Sequence, residues 1–203
     1  MRALILVDLQ NDFMPGGALE VPRGDETVAV AQRLLPHFST IAATQDWHPK
    51  QHKSVAVNNP GTKVGDVIQV GGLPQVMWPP HCVQDTPGAA LHAGLDRARI
   101  NEVFQKGSDP AVDSYSAFFD NGRVKATGLA EWLSARWIKQ VYVMGLATDY
   151  CVKFTALDAR QLGLDVFLVE DGCRAVESAA GERAIAAMRD AGVVVVDSGA
   201  IGS

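Results

Sequence analysis

The chain has 203 residues, of which 47% are hydrophobic and 20% are charged, and its formal net charge is -5. This size and apolar content predict one domain over residues 1–203 with a substantial core. The weakly acidic balance, without any Lys/Arg run, excludes nucleic acid as a partner. No apolar stretch approaches the roughly 20 residues that span a bilayer, so no membrane association is expected.

Cysteine usage indicates the compartment. The three cysteines, Cys82, Cys151 and Cys173, are odd in number and form no disulfide framework. The apolar run at the N-terminus is interrupted by Asp8, which argues against a signal peptide. Both features predict a protein of the reducing cytoplasm.

Short apolar runs alternate with helical patterns along the chain. The predicted strands are residues 3–7, 40–44, 103–105, 141–144, 165–169 and 193–196. The predicted helices are residues 25–38, the stretch from Cys151 to Gly163, and a last helix that Ser178 caps and that ends before Gly192. This alternation predicts a three-layer α/β/α fold with a mostly parallel, Rossmann-like sheet of about six strands.

The segment at about residues 46–87 breaks this rhythm. It is rich in Gly, Pro, Asn and His and has only brief apolar stretches. A long segment without regular structure inside a compact domain is usually functional. We therefore expect a metal-binding loop excursion here.

Three side chains that carry chemistry fall at the ends of predicted strands. Asp8 ends the first strand, Lys106 follows the third, and Cys151 lies between the fourth strand and the next helix. Ligands of open parallel sheets bind outside the carboxyl ends of the strands. A helix N-terminus favours the thiolate, a carboxylate accepts its proton, and an ammonium stabilises the ion pair. Singly these residues read as a structural cysteine, a turn cap and a surface lysine; together they predict a catalytic triad.

A second group lies in the loop excursion. Asp46 and His48 stand two positions apart in an extended segment, and His81 lies on the return of the loop. Carboxylate and imidazole ligands suit zinc, iron or manganese. His52 follows His48 by four residues, but Pro49 occupies the place of the glutamate that a zinc-protease helix requires. Ordinary loop histidines are the alternative interpretation.

Aromatic side chains flank both groups. Phe13, Trp78 and Tyr115 fall in predicted loops, where they could form a flat slot for a ring. Each could equally cover the core, and for Phe118 and Phe119 that second interpretation is preferred.

Five segments together resemble the nicotinamidases of the isochorismatase-like hydrolases, in order and over nearly the whole chain. They are DLQNDF at residues 8–13, QDWHP at 45–49, WPPHCV at 78–83, KG at 106–107 and GLATDYCV at 145–152. The resemblance implies a three-layer α/β fold and deamidation of nicotinamide to nicotinate and ammonia, as in NAD salvage, with pyrazinamide as an expected further substrate.

The same resemblance implies roles for individual residues. The triad would be Asp8, Lys106 and Cys151, and the ligands of one divalent ion, zinc before iron or manganese, would be Asp46, His48 and His81. Phe13 and Trp78 would sandwich the pyridine ring. A cis peptide between Leu146 and Ala147 would direct the N–H groups of Ala147 and Cys151 toward an oxyanion. His52 is expected beside the ligands rather than among them.

Three rival functions remain at this point. One is hydrolysis of another small amide or of isochorismate, although isochorismate has no ring nitrogen for a metal to bind. Another is a metallohydrolase in which metal-bound water is the nucleophile and Cys151 is structural. The third is a non-catalytic thiol or metal sensor. The metal's identity and the oligomeric state, with a homo-oligomer as one option, are left open.

Overall fold

The computed structural model describes residues 1–202. The strands within these residues are β1 (Arg2–Val7), β2 (Ile41–Asp46), β3 (Val67–Val70), β4 (Leu73–Val76), β5 (Glu102–Lys106), β6 (Gln140–Leu146), β7 (Asp165–Arg174) and β8 (Val194–Val196). The α-helices are α1 (Glu26–Leu34), α2 (Leu129–Ser134), α3 (Lys153–Gln161) and α4 (Ser178–Asp190). No helix in this part of the chain has the length and apolarity needed to cross a membrane.

Six strands form the central sheet in the order β5-β2-β1-β6-β7-β8, and each neighbouring pair is parallel. This confirms the predicted α/β fold with a parallel sheet of six strands. Strand β1 is buried at five of its six positions, as expected for a parallel strand covered on both faces. In the sheet, β2 is the neighbour of β1 on one side and β6 is its neighbour on the other. The order of the sheet therefore reverses at β1, which is where open α/β sheets bind ligands.

Helix α1 packs against β6 and β7 through the apolar face that the sequence predicts. Val28, Ala31 and Leu34 are buried at helical spacing. The α-helix ends at Leu34, and residues up to His37 form a 3-10 turn, because Pro36 has no N–H group to continue the helical bonding. Helix α3 also packs against β6 and β7.

Two elements were not predicted. Residues 46–87 contain the antiparallel hairpin β3–β4, so this excursion is not structureless throughout. The turn between the strands is made by Gly71 and Gly72, both with positive φ. Helix α2 is only six residues long, and too few positions repeat in it for a period to be recognised.

The predicted cap of the last helix is wrong. Ser178 is the first residue of α4, and the cap position belongs to Glu177, which makes no side-chain capping bond. The buried Asp149 carboxylate accepts hydrogen bonds from the N–H groups of Val176 at 3.0 Å and Glu177 at 3.1 Å. A side chain from the turn after β6 thus fixes the backbone of the two residues that precede α4.

The pairing of β1 with β6 depends on a glycine. Gly145 lies opposite Val7, has φ of +127°, and a Cβ atom there would stand 2.1 Å from the Val7 carbonyl oxygen. Gly145→Ala is expected to lower the free energy of unfolding by about 3 kcal/mol or more, since a buried backbone contact cannot relax. Urea unfolding monitored by circular dichroism measures this.

Gly163→Ala is the matched control, because Gly163 also has positive φ, at +82°, but has open space around its Cα atom. Its expected cost is about 1 kcal/mol, from the backbone conformation alone. Equal losses in the two variants would show that the close approach to Val7 is not what requires the glycine.

Candidate active site

The carboxyl edge of the sheet brings together the three residues expected there and a fourth, Asp46, which the sequence placed in the loop excursion. Asp8 follows β1 directly, Asp46 ends β2, Lys106 ends β5, and Cys151 follows β6 in a π-helical turn (Thr148–Val152). The register of β2 with β5 places Asp46 directly opposite Lys106. Adjacent parallel strands therefore determine which side chains meet.

The Lys106 side chain has no exposed surface and lies at the centre of this group. Its Nζ atom is 2.8 Å from Asp8 Oδ2, 3.0 Å from the carbonyl oxygen of Ser114 and 3.4 Å from Cys151 Sγ. It also donates a short hydrogen bond to Asp46 Oδ1. The interpretation of Lys106 as a solvated surface lysine is wrong.

These contacts set the charges of the buried groups. Burial disfavours the ammonium, but Asp46 and Asp8 outweigh it and raise the pKa of Lys106. Burial likewise disfavours the Asp46 carboxylate, yet Lys106 and His48 lower its pKa below the usual range. For Asp8, burial prevails over Lys106 and raises its pKa. Asp8 is therefore the carboxylate better able to accept a proton.

The thiol of Cys151 is buried beside Asp8 and Lys106. Burial raises its pKa well above the ordinary value, and Lys106 only partly opposes this rise. The helix N-terminus favours the thiolate, but desolvation is the larger effect at this buried position. The resting sulfur carries a proton, so reaction requires a base, and a carboxylate oxygen of Asp8 lies within 4.8 Å of the Cys151 sulfur.

The predicted metal-binding residues converge on one carboxylate oxygen. Asp46 Oδ2 lies 3.6 Å from His48 Nε2 and 3.9 Å from His81 Nε2. The Nδ1 atoms of the two rings face carbonyl oxygens, of Gly107 at 2.9 Å for His48 and of Pro79 at 2.8 Å for His81. Each Nδ1 therefore donates a hydrogen bond to a carbonyl oxygen. This leaves the lone pair of each Nε2 atom directed toward Asp46 Oδ2, where it could bind a metal ion. One carboxylate with two imidazoles fits a divalent transition ion.

The two imidazoles differ in their affinity for a proton. Burial disfavours the charged form of both, but the Asp46 carboxylate prevails at His48 and raises its pKa to about 9. At His81, burial together with the neighbouring His48 lowers the pKa to about 4. The negative charge of Asp46 stabilises a proton on His48, and it would likewise stabilise a divalent cation bound between these residues.

His52 lies beside this group rather than at Asp46. Its ring centroid is 4.5 Å from that of His48, and its Nδ1 atom pairs with Ser54 Oγ at 2.7 Å. Its buried Nε2 atom has no hydrogen-bond partner among the described residues. His52 and Asp113 form a separate group of metal-compatible atoms with His48. Its expected place next to the ligands stays a prediction.

The three predicted aromatic residues line one cleft together with Cys151, Asp46, His48 and His81. Within it, Trp78 Nε1 donates a hydrogen bond to the Tyr115 hydroxyl at 3.2 Å. Sequence reasoning did not identify the remaining lining residues, which are Leu19, Val21, Asp113, Tyr150 and Val176. Of these, Tyr150 could have been predicted from the sequence, because it is an aromatic residue directly before Cys151. The three aliphatic residues carry no signal that separates them from core positions.

Phe118, Phe119 and the peptide bond after Leu146 have the positions and conformation that the sequence predicts. Phe118 is buried in the core, and Phe119 lies partly buried against it beneath the Arg123 guanidinium, so both cover the core. The peptide bond between Leu146 and Ala147 is cis, as the resemblance implies. Ala147 lines the cleft next to Cys151.

Residues 2–200 match the isochorismatase domain. The chain belongs to the isochorismatase family. A nicotinamidase of Escherichia coli is 55% identical over 179 residues, which cover 86% of this chain and 84% of that protein. The segments that carry the resemblance are therefore part of a similarity that extends along the sequence.

Two solved structures with bound groups are similar to this chain. PnC1 from L. infantum in complex with nicotinate has 42% identity and a TM-score of 0.87, covering 98% of this chain and 94% of that one. The pyrazinamidase of Pyrococcus horikoshii in complex with zinc has 36% identity and a TM-score of 0.79, covering 97% and 98%.

The contact of Lys106 with the thiol leads to a prediction about proton affinity. Lys106→Met removes the positive neighbour that lowers the pKa of Cys151, so the apparent thiol pKa should rise and alkylation should slow at any given pH. The rate of alkylation against pH measures this in a background with Cys82 and Cys173 replaced by serine. Lys139→Met, at an exposed lysine, is the control and should leave the profile unchanged. An unchanged profile in Lys106→Met would remove Lys106 from the thiol's environment.

Proposed function

We propose that this protein is a nicotinamidase, which hydrolyses nicotinamide to nicotinate and ammonia through a thioester on Cys151. One observation carries this conclusion: the Cys151 thiol and the carboxylate–imidazole group line one cleft together with aromatic rings, and directly behind the thiol lies the Lys106 ammonium, which is paired with Asp8. The 55% identity to the Escherichia coli nicotinamidase and the nicotinate complex of the L. infantum protein support the same substrate.

The triad residues have separate tasks in this reaction. Asp8 accepts the thiol proton as Cys151 Sγ attacks the carboxamide carbon, and it returns that proton to the departing ammonia. Lys106 holds Asp8 in place and stabilises the ion pair while the thiolate forms. A water molecule then attacks the thioester, and Asp8 takes its proton and restores the thiol. The products are nicotinate and the free enzyme.

The tetrahedral oxyanion needs hydrogen-bond donors. Cys151 lies within the first four residues of its helical turn, where N–H groups have no partner inside the helix. The N–H groups of Ala147 and Cys151 are proposed to donate to this oxyanion, which is usually a large part of the stabilisation of such intermediates.

Asp46, His48 and His81 are proposed to hold one divalent ion, for which zinc is preferred because the Pyrococcus horikoshii relative was solved with it. When bound, the ion supplies a Lewis-acidic site for the pyridine nitrogen. Phe13 and Trp78 contact the faces of the ring, and Tyr115 supports Trp78 through its hydroxyl. Together these residues orient the carboxamide toward Cys151. The same contacts would accept the ring of pyrazinamide.

The rival functions make different use of these residues. A metallohydrolase would leave Cys151 without a task, yet the thiol lies within hydrogen-bonding distance of Lys106. Isochorismate would make no use of a metal that binds a ring nitrogen. A sensor would not turn over. The cytoplasmic location and the homo-oligomer stay predictions, and a role in NAD salvage follows from the proposed reaction.

Release of ammonia from nicotinamide by purified protein tests the function directly. Cys151→Ala should lower turnover by at least about 10³-fold, because the covalent route is lost. Binding of nicotinamide, measured by calorimetry, should change little, since the ring is held by other residues. Cys173→Ala, which removes a buried cysteine outside the cleft, should keep native turnover. Substantial activity in Cys151→Ala would favour metal-bound water as the nucleophile.

Removal of the metal should separate positioning from chemistry. Benzamide lacks the pyridine nitrogen and should be a much poorer substrate than nicotinamide for the metal-loaded enzyme. After chelation, the ratio of kcat/KM for the two amides should fall toward one, because neither ring then has a metal contact. Preference for nicotinamide that survives chelation at full size would contradict this role and assign the ion to structure or water activation.

A further inference from the structure

The turn after β1 sends a buried amide to the backbone of Asp46. Gln10 has no exposed surface. Its Nε2 donates to the Asp46 carbonyl oxygen at 2.8 Å, and its Oε1 accepts from the Asp46 N–H at 2.8 Å. One side chain therefore satisfies both backbone groups of a single residue.

The reason for this pairing lies in the sheet. The ladder between β1 and β2 ends at Leu6 and Ala43, because Asp8 adopts a φ of +50° and turns the chain away. Strand β2 continues to Asp46 with β5 as its neighbour on the other side. The Gln10 amide takes the place of the missing strand and pairs with the end of β2. Without it, two buried backbone groups would lack partners, which is costly.

A second side chain of the same turn reaches the other metal-binding segment. Asp12 Oδ2 accepts a hydrogen bond from the N–H of Cys82 at 2.7 Å, and Cys82 directly follows His81. The carboxylate rests on Gly88, where a Cβ atom would lie 2.3 Å from its oxygens. Cys82 has a φ of +44°, a conformation that needs such support.

We propose that Gln10 and Asp12 are positioning residues for the metal site: Gln10 fixes the backbone of Asp46, and Asp12 fixes the segment that carries His81. The inference rests on the proposed metal site and extends it to residues that do not touch the ion. Residues that orient metal ligands typically contribute 10–100-fold to metal affinity. The turn also carries Phe13, so one short segment organises both the ligands and one wall of the cleft.

A general role in holding the loop together is the competing explanation, and the chain offers a matched control for it. Gln10 Nε2 also donates to the carbonyl oxygen of Ala89 at 2.8 Å, and Gln45 Nε2 donates to that same oxygen at 2.7 Å. Gln45 precedes Asp46 directly, but its side chain does not bond the Asp46 backbone in this structure. Loss of Gln45 therefore removes one of the two hydrogen bonds to Ala89, together with a bond from Gln105, and keeps the contact of Gln10 with Asp46.

The test is the affinity for Zn²⁺, measured by competition with a chromophoric chelator. Gln10→Met keeps the length of the side chain and removes its hydrogen bonds, and it should weaken Zn²⁺ binding by about 10–100-fold. Asp12→Ala should weaken it in the same direction. Gln45→Met should stay within about threefold of the native affinity, which is less than the typical effect of a ligand-orienting residue. Circular dichroism of the metal-free variants establishes that each is folded.

Each outcome of these binding measurements supports or overturns the positioning role of Gln10 and Asp12. Native affinity in folded Gln10→Met, or an equal loss in Gln45→Met, would overturn the inference while leaving the metal site intact. If Gln10→Met does not fold, Asp12→Ala decides alone, since native affinity there overturns the inference and a tenfold loss supports it. A native chain that binds no Zn²⁺ would overturn the metal site itself and this inference with it.

Discussion

The buried ammonium of Lys106 is the constraint on which the site depends. Removing an ion from water costs several kcal/mol even after relaxation, and the cost is offset only where opposite charges and acceptors surround it. Here Asp8, Asp46 and the carbonyl oxygen of Ser114 do so. Three neighbouring strands, β5, β2 and β1, must therefore keep their registers for the charge to be tolerated. A shift in one register would leave a buried charge without its partner.

The same ammonium joins two sites that would otherwise be separate. Asp46 directs Oδ1 to Lys106 and Oδ2 to the histidines, so one carboxylate contacts both the proposed triad and the proposed metal group. This shared residue explains why the two carboxylates near Lys106 differ. Asp46 stays ionised between several cationic or polar partners, whereas burial raises the pKa of Asp8 and makes it a better proton acceptor. The surroundings of Asp46 and Asp8, rather than their residue type, suit the first to the proposed role of metal ligand and the second to that of base.

Much of this arrangement could be predicted from the sequence, because it depends on where strands end. Alternating apolar runs gave the parallel sheet, and the carboxyl-edge rule brought Asp8, Lys106 and Cys151 together. The contact of Lys106 with Asp46 could not be predicted, since it follows from the register of β2 with β5. The raised pKa of the thiol was also missed, because it reflects burial, which the local motif does not encode.

Long-range contacts account for the other differences. The segment that leads into α4 is held by Asp149, more than twenty residues earlier, whereas a local capping rule selects Ser178. The role of Gln10 is likewise invisible in the sequence, because its partner is the end of a strand 36 positions away. Side chains that bond to backbone over such distances carry no periodic signal. Such contacts depend on where each strand ends in the fold, which leaves backbone groups without a neighbouring strand.

Mass spectrometry of the acid-quenched reaction tests the central claim most directly. During turnover of nicotinamide, the account predicts a nicotinoyl adduct on the peptide that contains Cys151. Cys82 and Cys173, both buried and free, serve as internal controls and should remain unmodified. The adduct should appear and decay at rates that support the steady-state turnover. Full turnover without an adduct on Cys151, under conditions that trap a synthetic thioester standard, would contradict the covalent mechanism.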